Sequence, residues 1–305
     1  MRLHALLICA ALSLLLPAWA HALTPGQRVL VVHSYTPDNA WTGKIVPAIR
    51  EGLKGSGARS ESLNMDAKRR PAPEQLRQAA LQAMERIAAL TPQVVIAVDD
   101  AAQEYLVVPH LRGQAGPQVI ACGVNAPFAK YGYPAANVSG VRGRWHYRDG
   151  FSLLKQILPK VQSVAFLVED TETGGYAVAD LRDDARQNGP FALRLAGVER
   201  VRTFQQWQAL IRRYQTRVDA LALPLYHGLK DERTGQVVPP EEVMAWTNSV
   251  NKLPTLGFVD YAKDHGLLCG VLASGEEQGY LAGRMAAAVL STGQQAGTMP
   301  VQVNK

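Results

Sequence analysis

Residues 28–53 read RVLVVHSYTPDNAWTGKIVPAIREGL. The first six, Arg28–His33, form a β-branched run suited to a strand buried on both faces, as in a parallel sheet. Ser34, Tyr35, Thr36 and Pro37 break that run, and Trp41–Leu53 has the length and spacing of a helix. A strand, a polar turn and a helix make the first part of a βαβ unit, and the chain continues the alternation. Ser60–Asn64 reads as a second strand. Pro73–Leu90 reads as a helix with Leu76, Ala80, Met84 and Ile87 on one stripe, stopped at Thr91-Pro92. Val94–Val98 is a strand followed by a helical Ala101–Val107, and Gln118–Val124 is a further strand. Parallel strands need such crossover helices, so this half is one α/β lobe.

The pattern then restarts. Tyr147–Leu158 reads as a helix, Val164–Val168 as a strand, Tyr176–Gln187 as a helix and Phe191–Leu195 as a strand. Phe204–Tyr214 is helical, with Phe204, Trp207 and Ile211 at helical spacing. Ala220–Leu225 and Pro254–Phe258 are strands flanking a helix at Glu241–Val250, and a last helix runs from Glu276 to about Leu290. The stretch Asn137–Arg144 has two glycines and no helical pattern, which suits a crossover between lobes. The predicted class is α/β: two Rossmann-like lobes with parallel sheets joined by a hinge. The predicted bounds are a signal peptide at 1–22, an N-terminal lobe at 23–138, a C-terminal lobe at 139–270, and a closing helix and tail at 271–305 that return toward the hinge.

The N-terminus points to export. Arg2 and His4 precede an apolar run from Ala5 to Leu16, and Pro17 ends it. Small residues then sit at signal-peptidase spacing, as Ala18-Trp19-Ala20 or Ala20-His21-Ala22, with cleavage after Ala22 favoured. A spanning helix needs roughly 20 apolar residues, which this run lacks. The formal charge is +6, and its densest run is Lys68-Arg69-Arg70. That run reads as a solvated approach to a helix, and no nucleic-acid-binding module is present. Beyond the signal, Cys122 and Cys269 sit in apolar strand-like contexts and read as small buried hydrophobes.

Catalytic signatures are missing. The first strand is followed by Ser34-Tyr35-Thr36-Pro37 and not by a G-x-G-x-x-G turn. There is no P-loop, no G-x-S-x-G elbow and no clustered His/Cys set for zinc. The reading is therefore a binding protein without cofactor or metal, with a hydrolase or isomerase as a distant rival.

Ligands of open parallel sheets bind beyond the carboxyl ends of the strands. The residues there are Ser34, Tyr35 and Trp41, then Asp99, Asp100 and Ala101, then Asn125, in the first half. In the second half they are Glu169, Asp170 and Thr171, then Tyr176, Tyr226, His227, Asp260 and Tyr261. The set is rich in acids, aromatics and hydroxyls and poor in Lys and Arg. Acids can pair an amine and aromatic faces can cover a flat group or a cation. The candidate ligand is a small amino-acid-like or aromatic, amine-bearing metabolite.

These same residues carry a likeness. Arg28–Leu53, with its His-Ser-Tyr strand end and Trp-Thr helix start, resembles the substrate-binding proteins of ABC transporters related to tryptophan- and tyrosine-binding periplasmic proteins. Residues 137–159, NVSGVRGRWHYRDGFSLLKQILP, resemble the crossover and first helix of the second lobe, and Gly270–Gly293 resembles the closing segment. The likeness covers nearly all of the chain after the signal. It implies a type I periplasmic-binding-protein fold that closes on a ligand, with Ser34, Tyr35, the Asp99–Ala101 turn, Asn125, and the Tyr226 and Asp260 turns lining the cleft. It implies an ABC permease as partner or, for the branch used as an extracytoplasmic sensor of histidine kinases, a membrane kinase or cyclase. Two turns depart from the pattern: Asp99-Asp100 stands where a small Thr-bearing turn is usual, and Glu169-Asp170-Thr171 replaces Asn-Pro-Ser. Relatives also continue past a segment like Met299–Lys305 into a further strand and helix.

Overall fold

The structure, a computed structural model, describes residues 26–304. The signal read at 1–22 lies outside the described residues. The first sheet holds β1 (Arg28–His33), β2 (Arg59–Asn64), β3 (Val94–Val98), β4 (Gln118–Val124), β5 (Val138–Arg142) and β11 (Gln302–Val303) in the order β2-β1-β3-β4-β5-β11. The second holds β6 (Ser163–Glu169), β7 (Arg194–Val201), β8 (Ala220–Leu225), β9 (Thr255–Val259) and β10 (Cys269–Ala273) in the order β7-β6-β8-β9-β10. Every neighbouring pair is parallel. Apart from β11, the two sheets share one topology, and in each the strand order reverses beside the first strand. That reversal is where α/β sheets bind ligands.

The central strands are buried throughout because helices cover both faces, which is why β3 reads Val-Val-Ile-Ala-Val without alternation. Helix α2 (Pro73–Leu90) buries Leu76, Ala80, Ala83 and Ile87 against the first sheet, with Met84 at the edge of the stripe. Helix α6 (Phe204–Tyr214) starts at a capping box between Thr203 and Gln206 and buries Phe204, Trp207, Ile211 and Tyr214. The last helix, α8 (Gly275–Thr292), follows the second sheet's last strand yet packs on the first lobe against α1 (Ala40–Gly52). The two backbones touch at glycines: a Cβ on Gly52 would lie 2.3 Å from Tyr280 O, and one on Gly283 would lie 2.4 Å from Ile49 O. The chain therefore crosses between lobes at Gly143–His146 and again at Ser274, and the tail returns to pair β11 with β5.

Several elements differ from the reading of the sequence. The second strand of lobe two is Arg194–Val201 and not Phe191–Leu195; Phe191 instead meets the Phe151 ring edge-on, 5.2 Å between centroids. Helix α5 (Glu172–Asn188) begins four residues before Tyr176, capped by the Thr171 hydroxyl, because Gly174 can press onto Glu169 O where a Cβ would sit at 2.0 Å. The segment read as helix at Ala101–Val107 is one α-turn, α3 (Asp99–Ala102), running into a π-helix at Gln103–Leu111. The stretch Asn137–Arg144, read as a crossover, contains β5, which pairs with β4 in the first sheet. The remaining helices are α4 (Tyr147–Ile157) and α7 (Pro240–Val250). Cys122 in β4 and Cys269 in β10 are both free.

Candidate functional site

The carboxyl ends of β1, β3 and β4 face those of β6, β8 and β9 across a cleft. Between them lies a cavity of about 70 Å³, walled by Tyr35, Trp41, Asp99, Gly123 and Asn125 from the first lobe. Glu169, Thr173, His227 and Tyr261 wall it from the second, and Arg144, Trp145 and Gln278 from the crossovers. It opens through shared Tyr35, Lys68, Thr173 and His227 into a wider mouth of about 690 Å³. A water needs roughly 10–15 Å³ of such space, so the inner chamber suits a small metabolite.

Asp99 and Asp100 adjoin in sequence and are both buried, but they differ in how their oxygens are used. Asp99 is 1% exposed and sits at φ 66°, a left-handed conformation that costs a non-glycine residue energy. Its Oδ1 accepts from Trp41 Nε1 at 2.8 Å, and its Oδ2 has no hydrogen-bond partner. Burial pushes its carboxyl well up from the usual range, and the Asp100 charge adds to this. Gly123, at φ 69°, makes room for it: a Cβ there would stand 2.7 Å from Asp99 Oδ1. Asp100 is fully engaged. Its Oδ2 accepts from Asn125 N at 3.0 Å and Nδ2 at 3.3 Å, and its Oδ1 accepts from Ala126 N at 3.0 Å and Tyr131 Oη at 2.9 Å. Asp100 thus builds the turn that presents Asn125.

On the second lobe, Glu169 is buried with both oxygens occupied. Oε1 accepts from Thr171 Oγ1 at 3.1 Å and faces Lys68 Nζ, and Oε2 accepts from Gly228 N. His227 packs edge-on against Tyr261, 4.0 Å between centroids, with both ring nitrogens buried and unpartnered. Burial brings its pKa down to about 4, against the pull of Glu169, so the imidazole is neutral near pH 7.

Charged pairs join the lobes. Lys68–Glu169 spans 3.5 Å, Lys44–Asp260 3.3 Å, Lys130–Glu172 3.4 Å and Arg142–Asp180 3.9 Å. At the crossovers, Asn304 Oδ1 accepts from Arg144 N at 2.6 Å and Gln278 Nε2 at 3.3 Å, while its amide nitrogen contacts Arg144 O and His146 Nε2. Gln278 Oε1 in turn accepts from Gly123 N at 3.1 Å.

Of the residues singled out from the sequence, Tyr35, Trp41, Asp99, Asn125, Glu169, His227 and Tyr261 line the chamber. Asp100, Ala101, Asp170 and Thr171 border the mouth, where Asp170 is paired with Arg200 and Arg202. Four lie elsewhere. Ser34 Oγ bonds Val98 O and the Ala102 N–H and so fixes the start of α3. Tyr226 is in the core, with its hydroxyl 2.7 Å from His265 Nδ1. Tyr176 points to Glu172 and Lys130 on the rim. Asp260 accepts from Gly275 N at 3.1 Å and holds Lys44. The sequence reading missed Lys68, Gly123, Arg144, Trp145, Thr173 and Gln278. Lys68 was read with the solvated run Lys68-Arg69-Arg70, yet it follows a strand end just as the other wall residues do.

No family model matches the chain, and no curated protein matches it in sequence. Solved structures do resemble it. An "ABC domain" from Streptococcus pneumonia in complex with L-Trp is 18% identical at a TM-score of 0.66, over 92% of this chain and 90% of that one. A substrate-binding protein with adhesive properties from Clostridium difficile, in its ligand-free, open form, is 18% identical at 0.60, over 91% and 89%. A chain of the complex between the TorS sensor domain and TorT is 10% identical at 0.56, over 91% and 90%. The superpositions show a shared fold, and at these identities the likeness is one of fold alone.

Proposed function

We propose, from the type I periplasmic-binding-protein fold of this chain, that it is an exported receptor that captures a small solute between its lobes and delivers it to an ABC permease. The observation that carries this reading is the chamber walled jointly by both lobes and bridged by ion pairs on several sides. A ligand touching both walls favours the joined arrangement by its differential affinity for it. The polar-aromatic lining suits an amino-acid-like or amine-bearing metabolite. The Ala5–Leu16 run supports export, and among the described residues no helix is long and apolar enough to cross a membrane.

A thermal-shift screen with amino acids, purines and small amines tests the reading. A ligand at about 100 times its Kd should stabilise the fold by about 2.7 kcal/mol. A broad panel with no stabilising member would sink it. The second reading, a ligand sensor working through a membrane kinase or cyclase, draws support from the likeness to the TorS–TorT complex. Co-purification of the tagged protein from membranes separates the two: a permease supports transport, a kinase or cyclase supports sensing. Fractionation of cells and N-terminal sequencing of the mature chain test export and cleavage after Ala22.

A further inference from the structure

Of the five acids singled out from the sequence, four stand at the chamber or its mouth and Asp260 lies outside it, and all but Asp99 have both oxygens in a hydrogen bond or an ion pair. Asp100 holds the Asn125 turn and Tyr131. Glu169 holds Lys68, Thr171 and Gly228. Asp170 holds two arginines, and Asp260 holds Gly275 and Lys44. Asp260 Oδ1 is also buried without a hydrogen bond but faces Lys44 Nζ at 3.3 Å, whereas Asp99 Oδ2, buried in the chamber wall, has neither a hydrogen bond nor an ion pair.

The surrounding structure maintains this arrangement at a cost. Asp99 is held in a left-handed backbone conformation. Gly123 has no room for a side chain where it faces the carboxylate, and the Trp41 indole fixes the other oxygen. A buried acceptor without a donor is unfavourable, and a charged one more so. A ligand that brings a positively charged donor removes both penalties. The same chamber carries the aromatic faces of Tyr35, Trp41, Trp145 and Tyr261, which attract cations and cover flat groups. The positive side chain nearest the opposite acid, Lys68, is committed to Glu169 and to the Tyr35 ring, 5.2 Å from its centroid. His227 adds a neutral, unpartnered imidazole on the far lobe.

We infer that Asp99 is the cation anchor of the chamber, and that the protein selects small primary or secondary amines, whose ammonium donates to Asp99 Oδ2 while a neutral polar or flat portion meets His227 and the aromatic walls. This rests on the receptor reading and narrows it. The ammonium is common to simple amines and to α-amino acids, and the test separates them.

Binding is measured by calorimetry for two matched sets: ethanolamine, ethylene glycol and glycolate; and tyramine, tyrosol and 4-hydroxyphenylacetate, with L-tyrosine beside the second. In the wild type, an amine should bind at least tenfold more tightly than its alcohol and acid counterparts. Asp99→Asn keeps the oxygen that meets Trp41 and should reduce that preference below about threefold, whereas Glu74→Gln, which alters an exposed acid of α2 that lines neither the chamber nor its mouth, should keep it. Tyramine above L-tyrosine assigns simple amines; the reverse assigns amino acids. If an alcohol or acid binds as well as its amine, if only uncharged or anionic members of the broad panel bind, or if Asp99→Asn retains the preference, the cation assignment is wrong and the receptor reading survives. If nothing in the sets or the broad panel binds, both fall.

Discussion

Lys68 Nζ, from the loop after β2, lies 3.5 Å from Oε1 of Glu169, the last residue of β6 in the other lobe. Glu169 is 1% exposed and Lys68 is partly exposed. In each of the four interlobe ion pairs among the described residues, the first lobe supplies the cation and the second the carboxylate. The joined arrangement thus rests on a single sense of charge across the cleft, and opening it separates all four pairs.

Lys68→Met should therefore shift the protein toward an open form. It leaves a buried carboxylate short of one partner, a loss of about 1–3 kcal/mol. Lys130→Met removes two exposed pairs, to Glu172 across the cleft and to Glu104 within the first lobe, each worth about 0–1 kcal/mol. Small-angle scattering should show a larger radius of gyration for Lys68→Met than for Lys130→Met, and added salt should expand the wild type modestly. Equal radii for both variants and the wild type would refute the clamp.

The neighbouring acids should separate in stability measurements. Asp100→Ala strands the Asn125 and Ala126 N–H groups and the Tyr131 hydroxyl, so its melting temperature should fall, by the equivalent of about 2–4 kcal/mol if two or more of these groups are left unsatisfied. Asp99→Asn replaces an unfavourably buried carboxyl and should leave the melting temperature at pH 7 unchanged or raise it. Similar melting losses in the two variants would contradict the division of roles.

The alternation of strands and helices was legible because parallel strands covered on both faces must be continuously apolar, as Val94–Val98 is. Short strands outside the sheet centres were not. Val138–Arg142 and Cys269–Ala273 contain Gly140 and Gly270, which lie against the neighbouring strand, where a Cβ would be 2.0 Å from Ala121 O and 2.3 Å from Gly257 O. A residue whose role is close approach weakens the very pattern by which a strand is read. The strand ends likewise gave the chamber's position. They could not tell Asp99 from Asp100, or Glu169 from Asp260, because that distinction lies in which oxygens the fold has already used. Lys68 was hidden among three consecutive basic residues, only one of which lines the chamber.

Acid should unfold the protein in a particular window. His33 and His227 are each brought down to about 4 by burial, and the Arg50 charge adds to the effect at His33. The ordinary value in the unfolded chain is about 6.5. Between these values the unfolded state binds more protons, so stability rises with pH from about 4 to 6.5 and is then flat with respect to these groups. Asp99 acts oppositely: its raised carboxyl holds a proton that the unfolded chain has released, so its contribution is lost as pH rises through the folded value. Replacing His33, whose ring nitrogens are both unpartnered, by Leu should flatten the acid limb of a melting-temperature profile. An unaltered limb would count against this origin.

Gly123→Ala tests how tightly the chamber's first wall is fitted. The methyl would sit 2.7 Å from Asp99 Oδ1 and 3.3 Å from Trp41 Nε1, on a backbone at φ 69°. The variant should lose about 1–3 kcal/mol and bind any chamber ligand at least tenfold more weakly. Wild-type affinity would show that Asp99 and Trp41 can move aside together.

The tail supplies the last test. Asn304 is buried, and its amide contacts both the Arg144–His146 crossover and Gln278 of α8, which reaches on to Gly123 in the wall. Three separated segments meet at this one side chain, at the crossovers that join the lobes. Asn304→Ala leaves the Arg144 N–H and Gln278 without their shared acceptor and should cost about 1–3 kcal/mol. Because the defect lies at the crossovers and not in either core, hydrogen exchange should quicken first at Gly143–Tyr147 and around Gln278, ahead of β3 and β6. Loss of protection spread evenly over both sheets would mean that Asn304 supports the fold as a whole and not the hinge.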